Sequence, residues 1–392
     1  MSVNSMSIED AYQFINLLHT QATGRTSLAP TNTGEFISMA NTVLQTGVDN
    51  VYNSITQVLS RTIFSVRPYE RKFPDLIVDN NRWGGITRKI SMSDRPIAET
   101  SKAWNQLDGS TVDPWKIRKA NVLEMRYYGS AVYQDYYTIY RDQLINAFGG
   151  PSEFGSFLTL VTTTMSNKWE QYLESLARAT LVDLIAAKNA ADQDSVIHLL
   201  TEYNDLTGLN LTAQTIWQEA NAGAFFRWMR SRINTLSRKM TERTELFQYQ
   251  ITGKEIQRHT PLRDQRMYLS SIILDRIDTM VNTTTYHDEP LAYADVYGVN
   301  FWQSSKEGEE LEISATPQVL TATGAIDDAE NQAVSGIVGI IMDRDAAAVN
   351  VKSYSVDPTP FNAAGLYWDT WLNANVQNCL DLTEKSILLL LD

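Results

Sequence analysis

Residues 336–350 read GIVGIIMDRDAAAVN, an apolar run broken by Asp343-Arg344-Asp345. A short unbroken run of Ile, Val and Gly fits a strand buried on both faces. The charged triplet within it has two readings. Asp343 and Asp345 stand at i and i+2, which in a strand puts both carboxylates on one face, as paired acid/base groups need. Alternatively the strand ends there, and the acids cup Arg344 or cap a turn before the Ala-rich segment resumes. The turn is preferred, because Ala346-Ala347-Ala348-Val349 follows at once and no histidine accompanies the pair. The choice matters: one reading makes a catalyst, the other a landmark of a fold.

The composition favours architecture. With 43% apolar and 10% aromatic residues, the 392-residue chain can bury a large core. A single cysteine, Cys379, excludes an intrachain disulfide and suits a reducing compartment, and it reads as a buried structural thiol. The opening residues show no basic leader followed by an apolar core, so no signal peptide is expected. No apolar run approaches the roughly 20 residues that span a bilayer.

Charge is unevenly spread. The net charge is -13, yet residues 61–126 hold 13 Lys/Arg against 8 Asp/Glu, and residues 225–267 hold 10 against 4. The last third of the chain is strongly acidic. Basic stretches interleaved with Trp83, Trp104, Trp115, Phe226 and Trp228 are compatible with nucleic acid. The acidic total and the absence of a recognised nucleic-acid motif favour contact between basic and acidic surfaces of neighbouring copies.

Along the chain, an amphipathic helix is predicted near residues 8–19, then an extended arm over 20–34. Helical spacing returns over 35–61. Residues 70–120 read as a long β-hairpin, with 76–78 and 86–92 as its arms and Asp79-Asn80-Asn81 with Gly84-Gly85 at its turn. This hairpin is basic and too poor in apolar residues to bury itself, so it needs a support. The Tyr- and Val-rich residues 121–140 read as long strand material. Gly149-Gly150-Pro151 breaks the chain, and residues 153–188 then give the strongest helix signal. No Gly or Pro interrupts residues 156–188, a helix of roughly 50 Å at 1.5 Å per residue. A second helix is predicted over 213–239, followed by alternating strands and loops.

No phosphate-binding glycine loop, zinc-protease motif or nucleophile elbow occurs. Tyr286-His287-Asp288-Glu289-Pro290 sets one histidine beside carboxylates, but adjacent residues cannot all face one metal in regular structure, and a solvated turn is preferred. No catalytic, cofactor or metal residues are expected.

The order of parts is itself distinctive: arm, helix, basic hairpin, Tyr-rich strand, unbroken spine helix, mixed region, closing strands. It resembles the major capsid protein of tailed bacteriophages, an α+β chain of the Hong Kong 97-type fold. Residues 42–69, TVLQTGVDNVYNSITQVLSRTIFSVRPY, look like the segment that precedes the extended hairpin, or E-loop, in small podovirus capsid proteins. Residues 339–391 are similar to the family's closing pattern, an apolar strand with Asp and a charged residue, a loop, and then Gly365, Tyr367 and Trp368.

The resemblance implies an N-terminal arm and helix over 1–60, an E-loop over 61–120 and a peripheral (P) domain with the spine helix over 121–210. An axial (A) domain over 211–365 and closing strands over 366–392 complete it. It further implies a homo-oligomer of hexamers and pentamers forming an icosahedral shell, with a separate scaffolding protein, a portal protein and non-specifically held double-stranded DNA, and no membrane. The expected location is the virion capsid, assembled in the host cytoplasm. The E-loop residues Arg82, Trp83, Arg88, Lys89 and Arg95 are expected at the contact between subunits. Two other readings are a cellular nanocompartment (encapsulin-like) shell, and a hydrolase using Asp343 and Asp345.

Overall fold

The computed structural model describes residues 8–45, 71–78, 87–92, 122–127, 129–148, 150–252, 256–282 and 295–392. In chain order these form α1 (Ile8–Thr23), α2 (Thr33–Gln45), β1 (Ile77–Val78), β2 (Thr87–Met92), β3 (Val122–Tyr127), β4 (Ala131–Tyr140), α3 (Arg141–Ala147) and α4 (Pro151–Ala191). Next come β5 (Val196–His198), α5 (Leu199–Thr207), α6 (Glu219–Met240), β6 (Gln265–Ser270), α7 (Ser271–Asn282) and β7 (Asp295–Val299). The remainder is β8 (Ile313–Ala315), β9 (Gln318–Leu320), β10 (Ile326–Asp328), β11 (Gln332–Val334), β12 (Ile337–Asp343), β13 (Ala347–Pro358), β14 (Tyr367–Leu380) and β15 (Ser386–Leu390). Among these helices none is long and apolar enough to cross a membrane.

The chain divides into two compact units, each discontinuous in sequence. The first gathers residues 1–84, 129–176 and 349–377. Its sheet runs β1-β13-β14-β4. On the inner face, Tyr133, Tyr137, Ile139, Trp368, Leu372, Ala374 and Val376 join a core with Trp169 and Leu173 of α4. The two amino-terminal helices close that core. Phe154 is fully buried and meets Phe14 at 5.7 Å, Phe36 at 5.9 Å and Phe148 at 5.0 Å between ring centroids. Pro151 opens α4, where its missing N–H costs nothing and its fixed φ suits the first turn.

The second unit gathers residues 85–128, 177–348 and 378–392. Its five-stranded sheet runs β5-β15-β12-β6-β7. The β12 strand lies between β15 and β6, antiparallel to both, and all seven of its residues are buried. This is the apolar run of residues 337–342, and its position at the centre explains why it has no polar face. Met267, Leu269, Val338, Ile341, Ile387 and Leu389 pack on one side against Leu200, Phe225, Phe226, Met229 and Ile233 of α5 and α6, and Ile273 and Ile277 of α7.

The predicted helices over 8–19, 153–188 and 213–239 appear as α1, α4 and α6, with α4 extending to 41 residues. Several local readings need correction. The segments 76–78 and 86–92 are not partners: Ile77–Val78 pair in parallel with Val349–Asn350, and Thr87–Met92 pair antiparallel with Val122–Tyr127. The 121–140 segment is two strands, parted at Gly129, whose φ of +83° is a conformation most side chains resist. Residues after Ser270 form α7 rather than strand, since Ile273 and Ile277 repeat at helical spacing.

Gly339 marks the tightest point of the central sheet. A Cβ there would sit 2.3 Å from the Tyr268 carbonyl oxygen and 2.5 Å from Leu269 Cδ2. Because the obstacle includes backbone, Gly339→Ala is expected to lower unfolding free energy by about 3 kcal/mol, read as a reduced urea midpoint with unchanged slope. A midpoint within error of the parent would show that the strands separate freely.

Candidate inter-subunit interface

β2 and β3, TRKISM and VLEMRY, form a ribbon whose two faces differ in kind. The register pairs Thr87 with Tyr127, Lys89 with Met125 and Ser91 with Leu123 on one face. It pairs Arg88 with Arg126, Ile90 with Glu124 and Met92 with Val122 on the other, because side chains alternate along a strand.

The first face is anchored. Leu123 is buried against Ile251 and Ile256. Lys89 reaches the turn between β14 and β15, where its Nζ lies 2.7 Å from Asp381 Oδ2 and 2.5 Å from Glu384 Oε1. It also donates to the Asp345 carbonyl at 3.3 Å. Arg258 pairs with Glu384 and donates to Ser91 Oγ at 3.1 Å and Thr383 Oγ1 at 3.2 Å. The turn itself is locally determined: Asp381 Oδ1 accepts from the Thr383 N–H at 2.9 Å and the Thr383 hydroxyl at 2.6 Å.

Both carboxylates are nearly inaccessible, with side-chain exposures of 1% for Asp381 and 7% for Glu384. Burial pushes the Glu384 carboxyl above the usual range, against the pull of Lys89 and Arg258. Burial also opposes the Lys89 ammonium, but Asp381 and Glu384 outweigh it and hold Lys89 above the usual lysine range. Burial, reinforced by Asp381, pushes the Tyr127 phenol far up, so it stays neutral. The cluster therefore holds two acids and two cations.

The second face is open. Arg88 and Arg126 side chains are 59% and 51% exposed and share Glu124, at 3.5 Å and 2.9 Å. Ile90 is 62% exposed and Val122 50%. Exposed apolar residues beside a pair of guanidiniums on a solvent face are the composition of a contact surface, where Arg is enriched and apolar atoms gain from removal from water.

Of the residues expected at this contact, Arg88 lies on the open face and Lys89 on the anchored one. Arg82, Trp83 and Arg95 lie outside the described residues, as does His287. Asp343 and Asp345 do separate jobs. Asp343 is buried, its Oδ1 accepting the Asp345 N–H at 2.9 Å and its Oδ2 the Thr260 hydroxyl at 2.8 Å. Asp345 is 62% exposed beside Arg344, which leans toward Asp264 at 3.4 Å. This is a capped turn in which Asp343 has no carboxylate partner among the described residues. Asp381, Glu384 and Arg258 were not expected from the sequence, and only the T-K-S against R-I-M alternation of β2 hinted that Lys89 faces inward.

The mixed helix-and-sheet fold is that of phage capsid proteins, the Hong Kong 97 type. The capsid structure of Staphylococcus phage Andhra matches with a TM-score of 0.53 at 10% identity, over 82% of this chain and 84% of that one. A structure described as head fiber and inner core protein gp22 of native bacteriophage P68 matches with a TM-score of 0.53 at 11% identity, over 82% and 85%. The model of the Phi29-like phage major capsid protein family matches residues 15–389, and the chain belongs to that family. No curated protein sequence matches it.

Removing Lys89 leaves two buried carboxylates with Arg258 as their cation. Lys89→Met is expected to destabilise the unassembled subunit by about 3 kcal/mol at pH 8, the scale of a broken buried pair. The sign with pH follows from Glu384. Its folded pKa is already raised, and losing Lys89 raises it further, so the folded variant binds a proton more readily than the unfolded chain. The penalty therefore shrinks as pH falls from 8 toward 5. Urea titrations of both proteins at the two pH values measure this. Equal penalties at both would remove the carboxylates from the account.

Proposed function

We propose that copies of this chain assemble as hexamers and pentamers into the icosahedral head of a phage, enclosing double-stranded DNA. The work is packing, without catalysis. Membership of the capsid family supports this over a cellular nanocompartment, and the capped turn at Asp343 gives no support to a hydrolase. The observation that carries the reading is the ribbon with one face anchored to its own subunit and the other exposed, with Ile90 and Val122 bare on the rungs that follow the Arg88–Arg126 pair. On this reading the ribbon is the base of the E-loop, and its open face, with Arg82, Trp83 and Arg95 beyond it, meets the next copy. Lys89 positions the ribbon rather than touching the neighbour.

The first compact unit corresponds to the P domain with its amino-terminal arm, and the second to the A domain carrying the ribbon. A separate scaffolding protein and a portal complete the head, and assembly takes place in the host cytoplasm. The net charge of -13 suits a wall that must not grip the DNA packed against it.

Negative-stain microscopy of the protein co-expressed with its scaffolding protein is expected to show uniform closed shells or hexameric rings. A stable monomer under those conditions would overturn the proposal. Arg88→Glu, with Lys89 intact, is expected to raise the concentration needed for assembly roughly five- to tenfold, about 1 kcal/mol per exposed contact. Light scattering against protein concentration reads this out, and an unchanged threshold would take Arg88 out of the interface.

A further inference from the structure

A cavity of about 390 Å³ lies within the second unit. It is lined by β3 of the ribbon, by α4, by the β9–β10 hairpin and by the end of β14. Met125, Val319, Leu320, Ile326, Leu380 and Leu382 make its surface mainly apolar. Two of the lining parts, β2–β3 and β9–β10, are separate two-stranded sheets, and two strands cannot bury their own side chains. Apolar burial at the cavity they share is incomplete. Val319, Leu320 and Leu380 are only part-buried, and Ile326 is 63% exposed. The volume falls within the range of about 300–1,000 Å³ typical of small-molecule sites.

The polar side of the cavity is one-signed. Asp183, part-buried on α4, lines it. Burial pushes its carboxyl above the usual aspartate range, and no cation or hydrogen-bond donor among the described residues pulls it back. Arg126 also borders the cavity, but its guanidinium is held by Glu124 at 2.9 Å and 3.2 Å. The hairpin segment, residues 316–328, contains two aspartates and no Lys or Arg. The cavity is therefore suited to a cation rather than an anion. Tyr127 adds an aromatic ring to the lining, and ammonium groups are attracted to ring faces. A carboxylate withdrawn from water without a partner is unfavourable, and an ammonium that brings its own apolar surface relieves it.

We propose that this cavity binds a small organic amine, its protonated nitrogen on Asp183 and its apolar body against Val319, Leu320, Ile326 and Leu380. The site asks for both features. An inorganic cation leaves the apolar wall wet, and a neutral hydrocarbon leaves Asp183 without a partner. Because β3, α4 and the hairpin all line the cavity, an occupant ties the ribbon to the spine helix of its own subunit.

Isothermal titration of the full chain with phenylbutylamine, phenylbutanol and phenylbutyric acid tests the site. The amine is expected to bind at least about tenfold more tightly than the alcohol, the scale of a hydrogen bond to a charged group, and the acid not at all. Asp183→Asn is expected to bring the amine down to the affinity of the alcohol and to leave the alcohol unchanged. Val319→Trp, which fills the cavity, is expected to abolish both, with the far-UV circular dichroism of the parent retained. If either variant loses that spectrum, methyl resonances of the parent protein decide: amine-induced shifts at Ile326 and Leu380 support the site, and their absence overturns it. Equal affinities of the parent for amine and alcohol would also overturn it, as would an absence of binding or an amine affinity that Asp183→Asn leaves unchanged. Each of these outcomes leaves the shell reading intact.

Discussion

A two-stranded ribbon cannot bury its own side chains, so everything the β2–β3 segment does depends on what holds it. Here a small apolar contact of Leu123 with Ile251 and Ile256 is joined by an ionic one, Lys89 and Arg258 against Asp381 and Glu384. Taking four charges out of water costs several kcal/mol each, and their mutual attraction does little more than repay that. The cluster is therefore poor value as stabilisation. Its worth lies in direction. A hydrophobic contact tolerates sliding, whereas an ammonium lodged between two carboxylates and a backbone carbonyl fixes the ribbon's register and the face it turns outward.

That cluster is tied to the strand on which the fold is built. The Asp381 N–H donates to the Ala346 carbonyl at 2.8 Å, and the Asp343 N–H to the Lys385 carbonyl at 2.9 Å. The turn that closes β12 and the turn that leads into β15 thus brace each other. Asp343 holds one from within and Asp381 the other, each by accepting the backbone N–H two residues on. The acid pair is turn chemistry, the reading preferred from the sequence, placed where the anchoring carboxylates need a rigid base.

How much of this was legible follows from where each determinant lies. The spine helix and the central strand are written locally: 33 residues without Gly or Pro at 156–188, and the run Ile337–Met342 with no polar side chain. Periodicity reports such elements directly. Pairing is another matter. The two short arms at 76–78 and 86–92 sat near each other and had a turn between them, so a hairpin was the economical reading. The chain instead sends one arm to β13 and the other to β3, because burial against a distant strand outweighs a local turn preference. The anchor is still less legible, since Lys89 and Asp381 are 292 residues apart. No spacing rule connects an acidic turn near one end of a chain to a lysine near the other. Arg88, expected at a contact, lies on the open face, and the exposed apolar residues Ile90 and Val122 on that face became visible only with the register.

The contrast between the two faces of one ribbon has a physical logic for assembly. Contacts within a subunit must survive while the subunit searches, and a buried ion cluster does so because opening it strands charges in a dry interior. Contacts between subunits must break when misplaced, and exposed guanidiniums sharing a carboxylate contribute no more than about 1 kcal/mol each. Adjacent positions, Arg88 and Lys89, thus stand on opposite sides of this division, separated by the alternation of a strand. In the proposed shell the weak contact is repeated from each copy to the next. Closure then sums small free energies into a stable whole, since each added copy binds at the high effective concentration set by its neighbours. Strength inside the subunit and weakness between subunits are in that sense one design, and the face that each successive side chain along β2 takes decides which is which.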